Sequence, residues 1–315
     1  MSKPGRSSMT AAELIVDARN SVGESPVWQH ADRALYWVDI PQKKVHQWLA
    51  STGQVRTWTA PEMVGCIAMH SAGGWIAGME SGIFHVHLNG CDAANSSGAL
   101  DHCTMQTTRL VEAPHSTSGM RFNDGRCDRQ GRFVASTMMV NMATNAGNPC
   151  LISYENNSNL KQLVGNMIVP NGLAFSPDGR TMYLSDSHPS VQTVWAFDYD
   201  TATGIPSNRR VFVDMNLLPG RPDGAAVDAE GCYWICGNDA GLVHRFTPQG
   251  KLDQSLAVPV KKPAMCAFGG DDMRTLFVTS IRPDGIDLAD QPLAGGVFAL
   301  RPGVQGLPEP TFAAT

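Results

Sequence analysis

Short runs of aromatic and β-branched residues recur along this chain in pairs, each pair split by a turn: ALYWVDI with KVHQWL, GWIAGM with IFHVHL, RFVASTM with CLISYE, TMYLSDS with TVWAFDYD, CYWICG with LVHRFT, and TLFVTS with GVFALR. Within the runs, side chains alternate, as Ile83, His85 and His87 do against Phe84, Val86 and Leu88, which is the strand period of two. The pairs recur every 40 to 60 residues or so, the spacing of four-stranded propeller blades; βαβ units would need crossover helices, and no long amphipathic helical pattern is present.

Ahead of each pair stands a residue that enters a strand, and the six copies align on it: Glu24, Gly65, Asn123, Asn171, Asp223 and Ala264. A polar or small residue five positions after the head, with a glycine three beyond it in four of the copies, sets the register. Asn123 leads to Asp128 and Gly131, Asn171 to Ser176 and Gly179, Asp223 to Asp228 and Gly231, and Gly65 to His70 and Gly73. Six copies predict an all-β, six-bladed β-propeller of four-stranded blades. The segment ELIVDA (Glu13 to Ala18) reads as an extra strand that completes the last blade and closes the ring, so that residues 1–12 are expected as a flexible leader and 13–315 as a single propeller domain. The longest departures from the repeat, near 89–120, 138–150 and 281–295, are expected as loops that wall a site.

Composition narrows the function. All-β propellers commonly reach 315 residues undivided, and 31 glycines with 20 prolines fit many tight turns. A net charge of −5 without a Lys/Arg cluster argues against nucleic-acid and anionic-membrane partners. The N-terminus lacks an apolar signal and no run approaches a membrane-spanning length, so the expected location is cytoplasmic. Eight cysteines without a CxxC pair are expected mostly as buried free thiols; Cys91 and Cys103, at the ends of CDAANSSGALDHC, leave a loop disulfide open.

Around a common axis the six heads converge, and four of them carry oxygen-bearing side chains. A ring of carboxylate and amide oxygens from Glu24, Asn123, Asn171 and Asp223 is a site for a hard divalent cation. Asp124, Asp128 and Asp228 are expected to be structural, tying down turns and strand-entry amides. No phosphate loop, HExxH helix or GxSxG nucleophile elbow occurs, which argues against covalent serine catalysis.

Five motifs in order, GESPVW (Gly23 to Trp28), RFNDGRCD (Arg121 to Asp128), PNGLAFSPDGRTMYLSDS (Pro170 to Ser187), RPDGAAVDAEGCYW (Arg221 to Trp234) and FGGDDMRTLFVTS (Phe268 to Ser280), resemble the SMP-30/gluconolactonase, or regucalcin, family of sugar-lactone hydrolases. The resemblance implies a six-bladed propeller with one divalent metal in its channel. It implies Glu24, Asn171 and Asp223 as metal ligands, Asp223 also as general base, and Arg121 and Asn123 as substrate contacts. The partner implied is a small-molecule sugar lactone; the metal stays open among calcium, zinc, manganese, magnesium and ferrous iron, and the oligomeric state is not indicated. Where vertebrate members place an acidic substrate contact after RFVASTM, this chain has Asn141, Asn145 and Asn148 among methionines. His115 and His188 are candidates to protonate a leaving oxygen, and Lys43 and Lys44 occupy a turn where related enzymes place a lid. Two other functions fit the same architecture: aryl-ester or phosphotriester hydrolysis of the paraoxonase type, and non-catalytic calcium binding.

Overall fold

The computed structural model describes residues 11–91, 103–115, 117–144, 146–155 and 159–313. The expected leader therefore falls, but for its last two residues, outside the described residues, as does Asn145. The alternating runs form six four-stranded antiparallel sheets, and among the described residues the helical structure is one short 3-10 turn, Met215–Leu217. Five blades are contiguous in sequence, at 23–59, 64–112, 120–164, 170–214 and 221–257; the sixth takes its three inner strands from 263–300 and its outer one from Glu13–Val16. The ring is thus closed by an N-terminal strand, as expected, with Leu14 opposite Phe298.

The first strands, Gly23–Gln29, Val64–Met69, Met120–Cys127, Pro170–Phe175, Arg221–Val227 and Pro263–Gly269, touch one another in ring order, the last packing against the first. They are the walls of a central channel. The apolar sides of the blades bury against their neighbours, as where Trp28, Trp37, Trp234, Phe268 and Phe277 share one cluster at the junction of the last, first and fifth blades.

Blade two corrects one expectation. The stretch read as loop from about 89 contains a strand, Cys103–Glu112, which forms a long hairpin with Gly82–Cys91. Its residues are largely polar because the strand is the exposed outer edge of its blade, where the apolar signal fades. Cys91 and Cys103 are register partners there, and Cys103 is disulfide-bonded. Cys66, Cys127, Cys150, Cys232, Cys236 and Cys266 are free and buried, as expected.

The repeat's register has a local cause. In four of the six copies the residue five beyond the head caps the turn between first and second strands: Asp128 accepts the backbone N–H groups of Gln130 and Arg132, both at 2.9 Å, Asp228 those of Glu230 and Cys232, both at 3.0 Å, and His70 and Ser176 those of Ala72 and Thr181. Asp228 also accepts from Trp234 Nε1 at 2.9 Å and from Arg245 Nε at 2.8 Å, fully buried. These roles are structural, as the sequence implied.

Beyond the sixth blade the chain crosses the lower face, an element without a signal in the sequence pattern. Its backbone bonds run from Ala229 and Met273 to Met69 and Gly131, and it seats Glu309 3.1 Å from the buried guanidinium of Arg126.

Because Asp228 satisfies two backbone donors, an indole and an arginine at once, Asp228→Ala should destabilise the fold by about 3 kcal/mol. Urea unfolding measures this; a loss under about 0.5 kcal/mol would contradict the capping role.

Candidate active site and metal centre

At every head the innermost strand carries a β-bulge. The register to the second strand shifts between Glu24 and Val27, Val64 and Cys66, Phe122 and Gly125, Asn171 and Ala174, Pro222 and Ala225, and Pro263 and Cys266. An extra residue at that point bends the strand and re-aims its side chain, here in the same place in each blade. In blade one the residue after the head, Ser25, adopts φ 49°, and in blade four Gly172 adopts φ 62°. A Cβ on Gly172 would lie 2.6 Å from the Tyr233 hydroxyl, so this bulge accepts only glycine.

The structure brings the predicted side chains into one buried chain of hydrogen bonds. Arg121 Nη1 donates to Asn123 Oδ1 at 2.9 Å; Asn123 Nδ2 donates to Asn171 Oδ1 at 3.1 Å; Asn171 Nδ2 donates to Asp223 Oδ1 at 2.7 Å. Glu24 completes the group, close enough to Asp223 for the two charges to repel. Glu24 and Asp223 are each only 7% exposed. The other heads give no ligand for a steric reason in at least one case: a Cβ at Gly65 would come within 2.4 Å of the Phe122 carbonyl oxygen, where the neighbouring strand closes in.

Electrostatically the group is short of positive charge. Burial, then repulsion from Asp223 and Asp124, pushes Glu24 well above the usual carboxylate range. Burial pushes Asp223 up to about 7, against the pull of its hydrogen bond from Asn238 and of the Arg221 charge. Arg121 is the cation that draws Glu24 back down, and burial lowers it only to about 10, so it stays charged at neutral pH. Two buried carboxylates, two amides and one arginine fit a divalent cation: its charge would offset the burial that raises both acids and the repulsion that adds to it. Asn171 here turns its amide nitrogen to Asp223 and holds its oxygen toward Asn123; offering that oxygen to a cation would require a half-turn of the carboxamide.

Sequence reasoning missed the outer supports. Asn238 Nδ2 donates to Asp223 Oδ2 at 2.6 Å, and Ser187 Oγ accepts from Asn171 Nδ2 at 2.9 Å. Lys262 Nζ reaches Asn238 Oδ1 at 3.5 Å. Asn238 closes the second strand of its blade and Ser187 follows the corresponding strand of blade four, so polar residues at these strand ends were the available signal. Asp124 holds the next blade's entry, accepting Leu173 N–H at 2.8 Å as a strand-tying role implied, though it lies in a bulge rather than a turn. Its Oδ1 and the Nε of Arg126 are buried with no hydrogen-bond partner among the described residues.

The remaining candidates sit apart from this chain. His115 Nε2 lies 2.8 Å from the Glu80 carbonyl oxygen, and burial lowers its pKa; His188 Nδ1 lies 2.7 Å from Ser190 Oγ, within its own exposed turn. Lys43 is exposed in a hairpin turn, and Lys44 donates to Thr59 Oγ1 at 2.6 Å. Asn141 caps a local turn through Ala143 N–H, while Asn148, Met139, Met142 and Met167 line a cavity of about 230 Å³ beside it. Asp228, Glu230 and Cys232 also gather ligand atoms closely, but Arg245 bonds both carboxylates, at 2.8 and 2.6 Å, and fills that site with an ion-pair network.

Comparison with known proteins agrees with this architecture. A family model described as the SMP-30/Gluconolactonase/LRE-like region matches residues 22–282. The chain is similar to the 6-deoxy-6-sulfogluconolactonase of Pseudomonas putida, 38% identical over 96% of this chain and 98% of that one. It is also similar to regucalcin of Danio rerio, 34% identical over 94% of this chain and 96% of that one. Among solved structures, a calcium-binding protein, regucalcin, from Agrobacterium tumefaciens superposes with a TM-score of 0.84 at 26% identity, covering 97% of this chain and 98% of that one. The chain belongs to the SMP-30/gluconolactonase/LRE-like family.

Proposed function

We propose that this protein is a sugar-lactone hydrolase that opens an aldono-1,4- or 1,5-lactone to the aldonic acid, with one divalent cation held by Glu24, Asn171 and Asp223. The observation that carries the reading is the buried pair of mutually repelling carboxylates at the end of a hydrogen-bonded chain from Arg121. The lactonase names of the relatives support the substrate class.

When bound, a divalent cation at these oxygens supplies Lewis acidity toward a carbonyl oxygen and lowers the pKa of water that it holds. The chain's own groups do the rest. Asp223 takes a proton from the attacking water; an ordinary aspartate is a feeble base at neutral pH, so it would act on water already acidified by the cation. Asn238 fixes the rotamer of that carboxylate through Oδ2. The water oxygen bonds to the lactone carbonyl carbon, the carbon–ring oxygen bond breaks, and the ring oxygen leaves as a hydroxyl with a proton that balances the one Asp223 took from the water and then gives up. Arg121 offers a fork of donors to the lactone's oxygens, steadied by its bonds to Asn123 Oδ1 and the Phe122 carbonyl oxygen. Asn123 lies between this fork and Asn171 and is assigned to substrate binding. The methionine-rich 138–150 segment is assigned to packing the wall.

A second reading, calcium binding without catalysis, is favoured by the description of the Agrobacterium protein as calcium-binding. A cytoplasmic location and a single domain over 13–315 complete the proposal.

Asp223→Ala should abolish binding of calcium or manganese by calorimetry and lower glucono-1,5-lactone turnover by at least about 10³-fold, the scale of losing a general base together with its cation. Full retained turnover would refute the assignment. Binding of the ion by the wild type, with no hydrolysis of any lactone, would leave the calcium-binding reading.

Charge balance gives a second test, on the metal-free protein. Glu24 and Asp223 have raised values in the fold, so the fold is favoured below the ordinary carboxylate range, near pH 4, and loses stability as pH rises through about 7. In chelator at pH 8, Glu24→Gln should therefore stabilise the protein by roughly 1–2 kcal/mol, the equivalent of about one pKa unit relieved. The gain should shrink as pH falls toward 4. A pH-independent difference, or a loss at pH 8, would contradict the mutual repulsion.

A further inference from the structure

Two cations stand on the same rim as the catalytic carboxylate with one anion between them. Arg221, two residues before Asp223 on the innermost strand of blade five, donates from Nε to Asp239 Oδ2 at 2.6 Å, and Lys262, at the entry of blade six, pairs with the other oxygen of Asp239. All three side chains remain solvent-accessible: Arg221 and Lys262 are each 25% exposed and Asp239 43%. The shared carboxylate cannot neutralise both, and exposed ion pairs hold weakly in water.

The cluster is tied to the chemistry by short links. Asn238 spans from Asp223 Oδ2, at 2.6 Å, to Lys262 Nζ, at 3.5 Å. Arg221 Nη1 reaches the carbonyl oxygen of Ser187, at 3.4 Å, and the Ser187 hydroxyl accepts from Asn171. Among the described residues, Nη2 of Arg221 has no hydrogen-bond partner. Arg121 lies at the opposite end of the chain of hydrogen bonds, so a substrate centred on Glu24, Asn171 and Asp223 extends either toward Arg121 or toward this pair. A neutral polyol needs hydroxyl acceptors and donors there, and gains little from two ionised donors. An oxyanion matches both.

We propose that Arg221 and Lys262 form an anion subsite selecting lactones that carry a phosphate, sulfonate or carboxylate on the part of the carbon chain remote from the carbonyl, with Asp239 the counter-ion that such a group displaces. The proposal rests on the lactonase reading and specifies its substrate class.

The test compares kcat/KM on 6-phosphoglucono-1,5-lactone and glucaro-1,4-lactone with that on neutral glucono-1,5-lactone, using the metal-reconstituted full chain. The wild type should favour at least one anionic lactone, and the ratio for phosphate against carboxylate tells which oxyanion fits. The double variant Arg221→Gln/Lys262→Gln should lower the anionic-to-neutral ratio by about 10- to 100-fold, the worth of a charge-assisted contact. Asp239→Asn, which unmasks both cations, should raise it. A second readout is independent of turnover: 6-phosphogluconate should raise the melting temperature more than gluconate does, and the double variant should lose that difference. A ratio unchanged in both variants, with equal shifts from the two acids, overturns the subsite while leaving the lactonase reading intact. No turnover of any lactone, with the binding preference present in the wild type and lost in the double variant, supports the subsite and overturns the lactonase reading instead.

Discussion

Burial of two like charges side by side is the constraint around which this molecule is built. Glu24 and Asp223 come from the first and fifth blades, lie almost out of reach of solvent, and repel one another. Neither hydrophobic packing nor strand pairing gains from that arrangement; both would be easier with apolar residues at the axis. It persists because the ring of blades fixes where each innermost strand begins, and because the bulge at each head points the side chain there inward. Ring closure by Glu13–Val16 holds that convergence in place.

The surrounding charges can be followed down the axis. Asp223 and Glu24 sit at the upper mouth, Asp124 raises Glu24 from below, Arg126 draws Asp124 back down, and Glu309 from the C-terminal crossing pairs with Arg126. The signs alternate only from Asp124 through Arg126 to Glu309, so the repulsion is left among the three carboxylates above. The terminal segment is therefore part of the electrostatic structure of the channel as well as a cover for its lower end. Like charge is thus gathered where the first strands converge, the pattern expected where function and stability compete.

Much of this was legible in the sequence, for reasons the structure makes concrete. The blade count could be read because four of the six heads are followed, five residues on, by a side chain that caps a turn; Asp128 and Asp228 satisfy backbone groups that any chain turning there must satisfy. That fixed register placed Glu24, Asn123, Asn171 and Asp223 in one column, and the fold brings those four together. The bulges were not legible, since a period-two pattern carries no mark of one extra residue. Gly65 could be read as a gap in the ring but not as a point where the backbone of blade three fills the space. The polar outer strand of blade two looked like loop because exposure removes its alternation. Asn238, Ser187 and Lys262 were missed because their roles depend on contacts between blades, and the C-terminal crossing because long-range backbone bonds to Met69 and Gly131 leave no local periodicity.

The repelling pair and its amide neighbour are, on this reading, a cation site, and anomalous diffraction from a crystal soaked in manganese tests that most directly. One strong peak is expected on the axis, with side-chain oxygens of Glu24, Asn171 and Asp223 at about 2.0–2.6 Å, the range of hard-cation ligation. A channel with no peak there, or an ion bound instead beside Asp228 and Glu230, would contradict it.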